Sequence, residues 1–202
     1  MIQVALDPVL PTLSSPYPTH YTLEGTRWRI TNHANVFSRD SLDIGTRLFL
    51  RHLPVRPAAR EIIDLGCGNG VIGLCAARDN PEAKLQFIDE SVMAIASARD
   101  NFQRIHPGRG ARFHLGNGLD GAARESADLI LCNPPFHQQQ TIGDQIALAM
   151  FRQPRRVLRT GGELWVVGNR HLGYHQSLGR LFGRVETVAS DRKFVVLCAR
   201  KG

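Results

Sequence analysis

No apolar run in the 202-residue sequence approaches the roughly 20 residues that a helix needs to span a bilayer. The N-terminus also lacks the basic-then-apolar pattern of a signal peptide. These two absences predict a cytoplasmic protein that makes no contact with a membrane.

Cysteine is scarce, and neither cysteine nor histidine shows the spacing of a metal site. There are four cysteines and eight histidines, with no CxxC or HExxH pattern among them. Each cysteine lies in an apolar or glycine-rich segment, which favours buried, reduced thiols over disulfides or zinc ligands. We therefore assign no metal. The cysteines are Cys67, Cys75, Cys132 and Cys198.

Lysine is rare as well: it supplies three of the 25 basic residues, although the formal net charge is +7. A positive protein is compatible with a polyanionic partner, because cations that neutralise phosphates release condensed counterions. Charge alone does not identify that partner, and the arginine bias is equally compatible with codon composition.

The length predicts one domain with a substantial core and argues against a second full domain. Residues 1–20 are rich in proline, which predicts an extended lead-in or linker. We assign residues 21–202 to a single domain that begins with a hairpin over residues 21–31. Apolar residues at helical spacing predict a helix over Leu42–Leu53.

From Arg60 onward, short β-rich runs alternate with helical segments. This order predicts an α/β fold in which a mostly parallel sheet carries helices on both faces. The last two strands are joined by too few residues for a crossover helix and are predicted to be antiparallel. Pro154 is predicted to kink or split its helix. The predicted strands are Glu61–Leu65, Lys84–Ile88, Arg112–Leu115, Asp128–Cys132, Glu163–Val167, Val185–Val188 and Phe194–Ala199, and the helices are Val71–Arg78, Val92–Phe102, Ile146–Leu158 and Tyr174–Leu181.

A glycine-rich loop follows the first of these strands. Three glycines stand at alternate positions, the first of them two residues after Asp64, and a helix is predicted to follow. A nicotinamide-binding loop would need glycine at position 71, which is valine, whereas this G-x-G-x-G form indicates S-adenosylmethionine. The predicted cofactor-binding residues of this segment are Asp64, Gly66, Cys67, Gly68, Asn69 and Gly70.

Two further polar positions follow neighbouring strands. Asp89 ends the next strand, where a carboxylate can accept hydrogen bonds from both ribose hydroxyls of a bound nucleoside. Glu90 is adjacent and could share that role. Asn117 follows the third strand, in a position that faces the adenine edge, although a turn-forming asparagine explains it equally well.

The reaction class is indicated by Asn133, Pro134, Pro135 and Phe136, which follow the fourth strand. A conjugated amino group is a poor nucleophile because its lone pair is delocalised. If this amino group donates its two hydrogen bonds to the Asn133 side-chain oxygen and the Pro134 carbonyl, its lone pair becomes available for attack. Phe136 would stack on the extruded base. The motif therefore predicts methylation of a planar amine.

Together these motifs resemble the bacterial ribosomal RNA guanine-N2 methyltransferases. The resemblance extends over nearly all of residues 21–202. It is carried by the glycine-rich loop and by residues 32–38, 42–46, 87–91, 133–139, 169–172 and 193–197.

The resemblance implies a Rossmann-like class I fold with a seven-stranded, mostly parallel sheet and an antiparallel last strand. It also implies S-adenosylmethionine as donor, S-adenosylhomocysteine as product and N2 of a guanine in 23S rRNA as acceptor. A segment lying over the cofactor would include Thr46, near the methionine carboxylate. We expect a monomer. The further cofactor contacts that the resemblance implies are Phe37, Ser38, Asp43, Gly45, Ser91 and Asn133.

Contacts with RNA are predicted for Arg170 and His171, which follow the fifth strand, and for His137. Three alternatives stay open. The acceptor could be a guanine of 16S rRNA, or another planar amine such as adenine N6 or a protein glutamine amide. The domain could also be a non-catalytic binding module, although such modules commonly lose one of the two motifs that are intact here.

Overall fold

Strands and helices alternate along the chain, which a computed structural model describes over residues 14–135 and 150–202. Residues 150–157 are helical and are called α4. The other elements, in chain order, are β1 (Thr19–Thr22), β2 (Arg29–Asn32), α1 (Ile44–Arg51), β3 (Glu61–Leu65), α2 (Val71–Asp79), β4 (Lys84–Asp89), α3 (Val92–Ile105), β5 (Ala111–Leu115), β6 (Ala127–Cys132), β7 (Leu158–Asn169), a short 3-10 helix (Arg170–Leu172), α5 (Tyr174–Phe182), β8 (Arg184–Ser190) and β9 (Phe194–Arg200).

Seven of the strands form one sheet in the order β5-β4-β3-β6-β7-β9-β8. The pairs β5–β4, β4–β3, β3–β6 and β6–β7 are parallel, whereas β9 is antiparallel to both β7 and β8. The fold is therefore the predicted class I methyltransferase fold with an antiparallel last strand. Because the parallel strands end at the same edge, residues that follow β3, β4, β5 and β6 are brought together there.

Two apolar cores cover the two faces of the sheet, as predicted from the alternation of elements. One core joins Phe49 of α1, Leu74 of α2 and Phe102 of α3 to the sheet. The other joins Phe151 of α4 and Leu178 of α5 to the opposite face. Burial of large apolar side chains on both faces accounts for the near-continuous apolar composition of the central strands.

The two N-terminal strands lie outside the main sheet. β1 and β2 pair antiparallel with Tyr21 opposite Ile30, and β2 packs against α3. The strands occupy Thr19–Thr22 and Arg29–Asn32, so they extend slightly beyond the hairpin expected over residues 21–31. Residues 1–13, which hold most of the predicted lead-in, lie outside the described part.

Some element boundaries differ from the sequence-based expectations. β7 begins at Leu158, which was predicted to end a helix, and is twelve residues long. Its first half was missed because Gly161 and Gly162 are weak strand formers. Helix α4 continues through Pro154 to residue 157 without being split, and only three helical residues follow the proline. The first helix is Ile44–Arg51, shorter than predicted, because Asp43 caps its first turn.

Candidate active site

The carboxyl ends of the central strands open into a cavity of about 760 Å³. Residues of the hairpin and of the segment before α1 close its other side. The cavity brings together most of the predicted site residues. Those that line it are Phe37, Ser38, Asp43, Thr46, Gly66, Cys67, Gly68, Asn69, Asp89, Glu90, Ser91, Asn117, Asn133, Pro134 and Pro135.

The glycine-rich loop forms the floor of the cavity. The backbone φ angles of Gly66, Gly68 and Gly70 are 69°, 53° and 82°, in the left-handed region that side chains disfavour. A Cβ added to Gly68 would meet no described atom within 4 Å, so this position faces open space. The N–H groups of Gly66 and Cys67 donate to the Ile88 carbonyl, at 2.8 and 3.0 Å. The loop is thus held against β4 while its backbone stays accessible.

Three of the predicted cofactor-binding residues do not line the cavity. Asp64 is fully buried beneath the loop and accepts a 2.8 Å hydrogen bond from the N–H of Gly73 in α2. Gly70 is the N-cap residue of α2. Gly45 packs against the ring of Phe194, where an added Cβ would lie 2.8 Å from a ring carbon. These three residues contact the elements that surround the cavity and do not line it themselves.

Asp89 stands at the end of β4 and braces two neighbouring segments. Its Oδ2 atom accepts from the N–H of Gly68 at 2.9 Å, and its Oδ1 atom accepts from the N–H of Ser91 at 2.9 Å. Each carboxylate oxygen can accept a second hydrogen bond, so the side chain can still accept hydrogen bonds from two hydroxyl groups. Ser91 in turn caps α3 through the N–H of Ala94.

The loop with Asn117 is held by a residue that the sequence analysis missed. Gln153 of α4 accepts from the N–H of Leu119 at 2.7 Å and donates to Asp120 at 2.9 Å. Gln153 also lines the cavity. Its distance of more than thirty residues from this loop left no local signal in the sequence.

Asn133 follows β6 and faces α1 across the cavity wall. Its Nδ2 atom donates to the hydroxyl of Thr46 at 2.9 Å, and that hydroxyl lies 3.2 Å from Oδ2 of Asp43. The Oδ1 atom of Asn133 is buried and has no hydrogen-bond partner among the described residues. An unpaired buried acceptor costs about 1–3 kcal/mol unless another molecule supplies the donor. The arrangement therefore offers an acceptor to a ligand.

Phe37 and Ser38 precede α1 and lie at the mouth of the cavity. The Phe37 side chain is 47% exposed. Ser38 has a positive φ of 57°, and its hydroxyl donates to the carbonyl of Ser41. A large apolar side chain that is half exposed at a cavity mouth is suited to contact with a bound molecule.

A buried polar cluster joins the hairpin to the glycine-rich loop, and this cluster was also missed. Asn69 donates to Asn32 at 2.8 Å and to the hydroxyl of Tyr21 at 3.3 Å. Asn101 of α3 donates to the carbonyls of Thr31 and Asn69, each at 2.9 Å. Burial raises the pKa of the Tyr21 hydroxyl to about 12, so it stays protonated. The hairpin is thus fixed beside the cavity.

The remaining predicted contacts lie elsewhere. Phe136 and His137 are outside the described residues. Arg170 and His171 are exposed on the short helix after β7 and do not line the cavity. The Arg170 guanidinium donates to the Asp191 carbonyl at 3.1 Å, which places it beside the turn between β8 and β9.

Neither a metal centre nor a membrane span is found in the described parts of the chain. No group of three or more His, Cys, Asp or Glu residues there is placed to hold a metal ion. None of the helices described is both long and apolar enough to cross a bilayer.

Comparison with known proteins confirms the resemblance drawn from the motifs. The family model described as methyltransferase small domain matches residues 27–198. The ribosomal RNA large subunit methyltransferase G of Ectopseudomonas mendocina (strain ymp) is 57% identical over 93% of this chain and 50% of its own length. The protein of the same name from Pseudomonas aeruginosa (strain UCBPP-PA14) is 56% identical over 95% of this chain and 51% of its own length. The chain spans about half the length of these relatives.

Solved structures show the same fold. A T. thermophilus 16S rRNA N2 methyltransferase, in complex with AdoMet and guanosine, superimposes with a TM-score of 0.78 at 24% identity. That match covers 92% of this chain and 50% of the other. An O-methyltransferase family protein from Burkholderia thailandensis gives a TM-score of 0.61 at 18% identity, over 78% of this chain and 55% of the other.

Proposed function

Because the chain belongs to the methyltransferase small domain family, we propose that it transfers a methyl group from S-adenosylmethionine to the exocyclic N2 of a guanine in 23S rRNA. The relatives that are named large-subunit rRNA methyltransferases support the choice of acceptor. The observation that carries the chemistry is the buried Oδ1 atom of Asn133 in the cavity wall, which has no hydrogen-bond partner among the residues that the structure describes.

The cavity fits the cofactor. Its volume lies within the range of small-molecule sites, and its walls combine backbone of the glycine-rich loop with apolar side chains such as Leu65 and Ile88. Asp89 keeps acceptor capacity for the two ribose hydroxyls. We assign Asn117 to the adenine edge, with Glu90 and Ser91 beside the ribose. Bound there, S-adenosylmethionine would supply an electrophilic methyl group on a positively charged sulfur.

The acceptor end of the cavity lies at Asn133. Its Oδ1 atom and the Pro134 carbonyl are proposed to accept the two hydrogens of the guanine amino group, which directs the nitrogen lone pair away from them and toward the methyl group. One of the two protons passes to water after the transfer, when the methylated, positively charged nitrogen has become a strong acid. Pro134 and Pro135 carry no N–H donors that could compete for the same acceptors. Phe136, outside the described residues, is proposed to stack on the base.

Contact with RNA is proposed at the edge of the sheet where the acceptor enters. Arg170 and His171 follow β7 at its carboxyl end, next to the strand that leads to Asn133. His137 is proposed as a further contact. The net charge of +7 supports a polyanionic substrate.

Substitution of the acceptor group tests this proposal. Asn133→Ala removes the oxygen that holds the amino group, so we expect methyl transfer to 23S rRNA to fall by about 100-fold or more. The calorimetric affinity for S-adenosylmethionine should persist, since the glycine-rich loop and Asp89 are untouched. Gln103→Ala, on the exposed side of α3, is the control. Near-normal transfer by Asn133→Ala would overturn the proposed chemistry.

A further inference from the structure

The chemistry of Asp43 fixes which groups donate and which accept in the hydrogen bonds around Thr46. The Asp43 carboxylate can only accept, and its Oδ2 atom lies 3.2 Å from the Thr46 hydroxyl. The hydroxyl has a single proton and donates it to Asp43. Toward Asn133, 2.9 Å away on its other side, Thr46 can therefore only accept. The atom of Asn133 that faces Thr46 must be the NH2 group, and Oδ1 points the other way.

We propose that Thr46, with Asp43 behind it, is a positioning residue that fixes the amide of Asn133 with its oxygen toward the acceptor amine. This inference rests on the function proposed above. An asparagine amide can rotate by half a turn at little steric cost, because its oxygen and nitrogen are nearly the same size. In the rotated orientation, the NH2 group of Asn133 would face the NH2 group of the acceptor, and neither group could accept a hydrogen bond from the other. The relay Asp43–Thr46–Asn133 excludes that orientation.

The surroundings strengthen the relay. Thr46 is 4% exposed, and the Oδ1 atom of Asn133 is buried, so water competes little for these bonds. Hydrogen bonds in such an environment are stronger than those in water, and each one polarises the next. Asp43 also accepts the N–H of Thr46 at 2.8 Å as the cap of α1, which fixes the acceptor end of the relay to the helix.

This role differs from the one implied by resemblance, in which Thr46 lies near the methionine carboxylate of the cofactor. A cofactor contact would act on the affinity for S-adenosylmethionine. A positioning residue acts instead on the rate of transfer once cofactor and RNA are both bound. The two roles therefore have separate kinetic signatures.

Thr46→Val tests the relay, because valine keeps the branched shape and the helix cap but removes the hydroxyl. With cofactor and 23S rRNA saturating, we expect the single-turnover transfer rate to fall about tenfold, the loss of one hydrogen bond in the relay. The calorimetric Kd for S-adenosylmethionine should be unchanged. Thr46→Ser keeps the hydroxyl and should recover most of the rate. Thr187→Val, on the exposed strand β8, is the matched control.

Two results would overturn the inference. One is an unchanged transfer rate in Thr46→Val. The other is a weakened affinity for S-adenosylmethionine with an unchanged rate at saturation, which would make Thr46 a cofactor contact.

A second measurement needs no substrate and separates this inference from the proposed function. The side-chain amide protons of Asn133, followed by nitrogen-15 NMR, should exchange slowly with solvent in the wild type and in Thr46→Ser. They should exchange faster in Thr46→Val. Equal exchange in the wild type and Thr46→Val would refute the relay. Slow exchange in a wild-type protein that never methylates guanine would refute the proposed function and leave the relay standing.

Discussion

The carboxyl group of Asp64 lies at the end of β3, fully buried, with one oxygen bonded to the N–H of Gly73 and the other without a partner among the described residues. Burial raises the pKa of this carboxyl to about 8, and the nearby charge of Asp89 adds to the effect. The group thus favours its neutral form beneath the glycine-rich loop. Asp64 contributes to the site through the position of α2 rather than through the cavity lining.

This pKa predicts a pH-dependent stability. The pKa of an unfolded aspartate is about 3.9, so between about pH 4 and 8 the unfolded chain releases a proton that the folded chain keeps. The free energy of unfolding therefore decreases as pH rises through this range. Asp64→Asn is neutral throughout, so the stability difference, variant minus wild type, should increase from about pH 5 to about pH 8.5. Urea unfolding at both pH values measures this stability difference, and the exposed Asp40→Asn is the control. If the free energies of unfolding of Asp64→Asn and the wild type changed equally with pH, the prediction would be contradicted.

Which site residues could be predicted from sequence depends on how local their chemistry is. The glycine-rich loop, Asp89 and Asn133 stand in short motifs whose residue types imply a role. Gln153 and Asn101 carry no such motif, because their partners lie about thirty to seventy residues away in sequence. Only the packing of α3 and α4 against the loops brings these amides to the backbone groups that they hold.

At the scale of elements, the repeating strand–helix units were predictable and the accessory segments were not. Most of the parallel strands are short and apolar, and helices separate β3 from β4 and β4 from β5, so pattern alone located them. The hairpin was placed from its turn, but its attachment to α3 was not visible. Asn101 contributes to that attachment, because it is buried and forms hydrogen bonds with both the N–H and the carbonyl of Thr31. The first half of β7 was hidden by its two glycines.

The attachment of the hairpin to α3 can be tested directly. Asn101→Ala leaves the N–H of Thr31 and the Asn69 carbonyl without this partner, so we expect the free energy of unfolding to fall by about 2–4 kcal/mol. Because Asn69 belongs to the glycine-rich loop, affinity for S-adenosylmethionine should weaken as well. Urea unfolding and calorimetry measure the two effects. The neighbouring exposed Gln103→Ala is the control, and equal stability of the two variants would show that the hairpin is held by other contacts.

At the scale of the whole molecule, the net charge of +7 and the position of Arg170 define how the protein would meet RNA. Composition predicted a polyanionic partner in general terms, and Arg170 follows β7 at the edge of the sheet where we propose that the acceptor enters. The chain spans about half the length of the curated relatives it matches. Its own contribution to RNA affinity is therefore a quantity to be measured on this chain directly.

Salt dependence measures that contribution. If Arg170 contacts a phosphate, Arg170→Ala should reduce the slope of log affinity for 23S rRNA against log salt concentration by about 1. Arg180→Ala, toward the far end of α5 and away from the cavity edge, should leave the slope unchanged. If Arg170→Ala had the same salt dependence of affinity as the wild type, Arg170 would not contact a phosphate of the RNA.

The most direct test of the account is the identity of the methylated nucleoside. The protein is incubated with tritiated S-adenosylmethionine and unmodified 23S rRNA, and the RNA is digested and separated by chromatography. We predict that the label appears in N2-methylguanosine and is lost in Asn133→Ala. Label in N6-methyladenosine, or no label while calorimetry shows the cofactor bound, would contradict the proposed function.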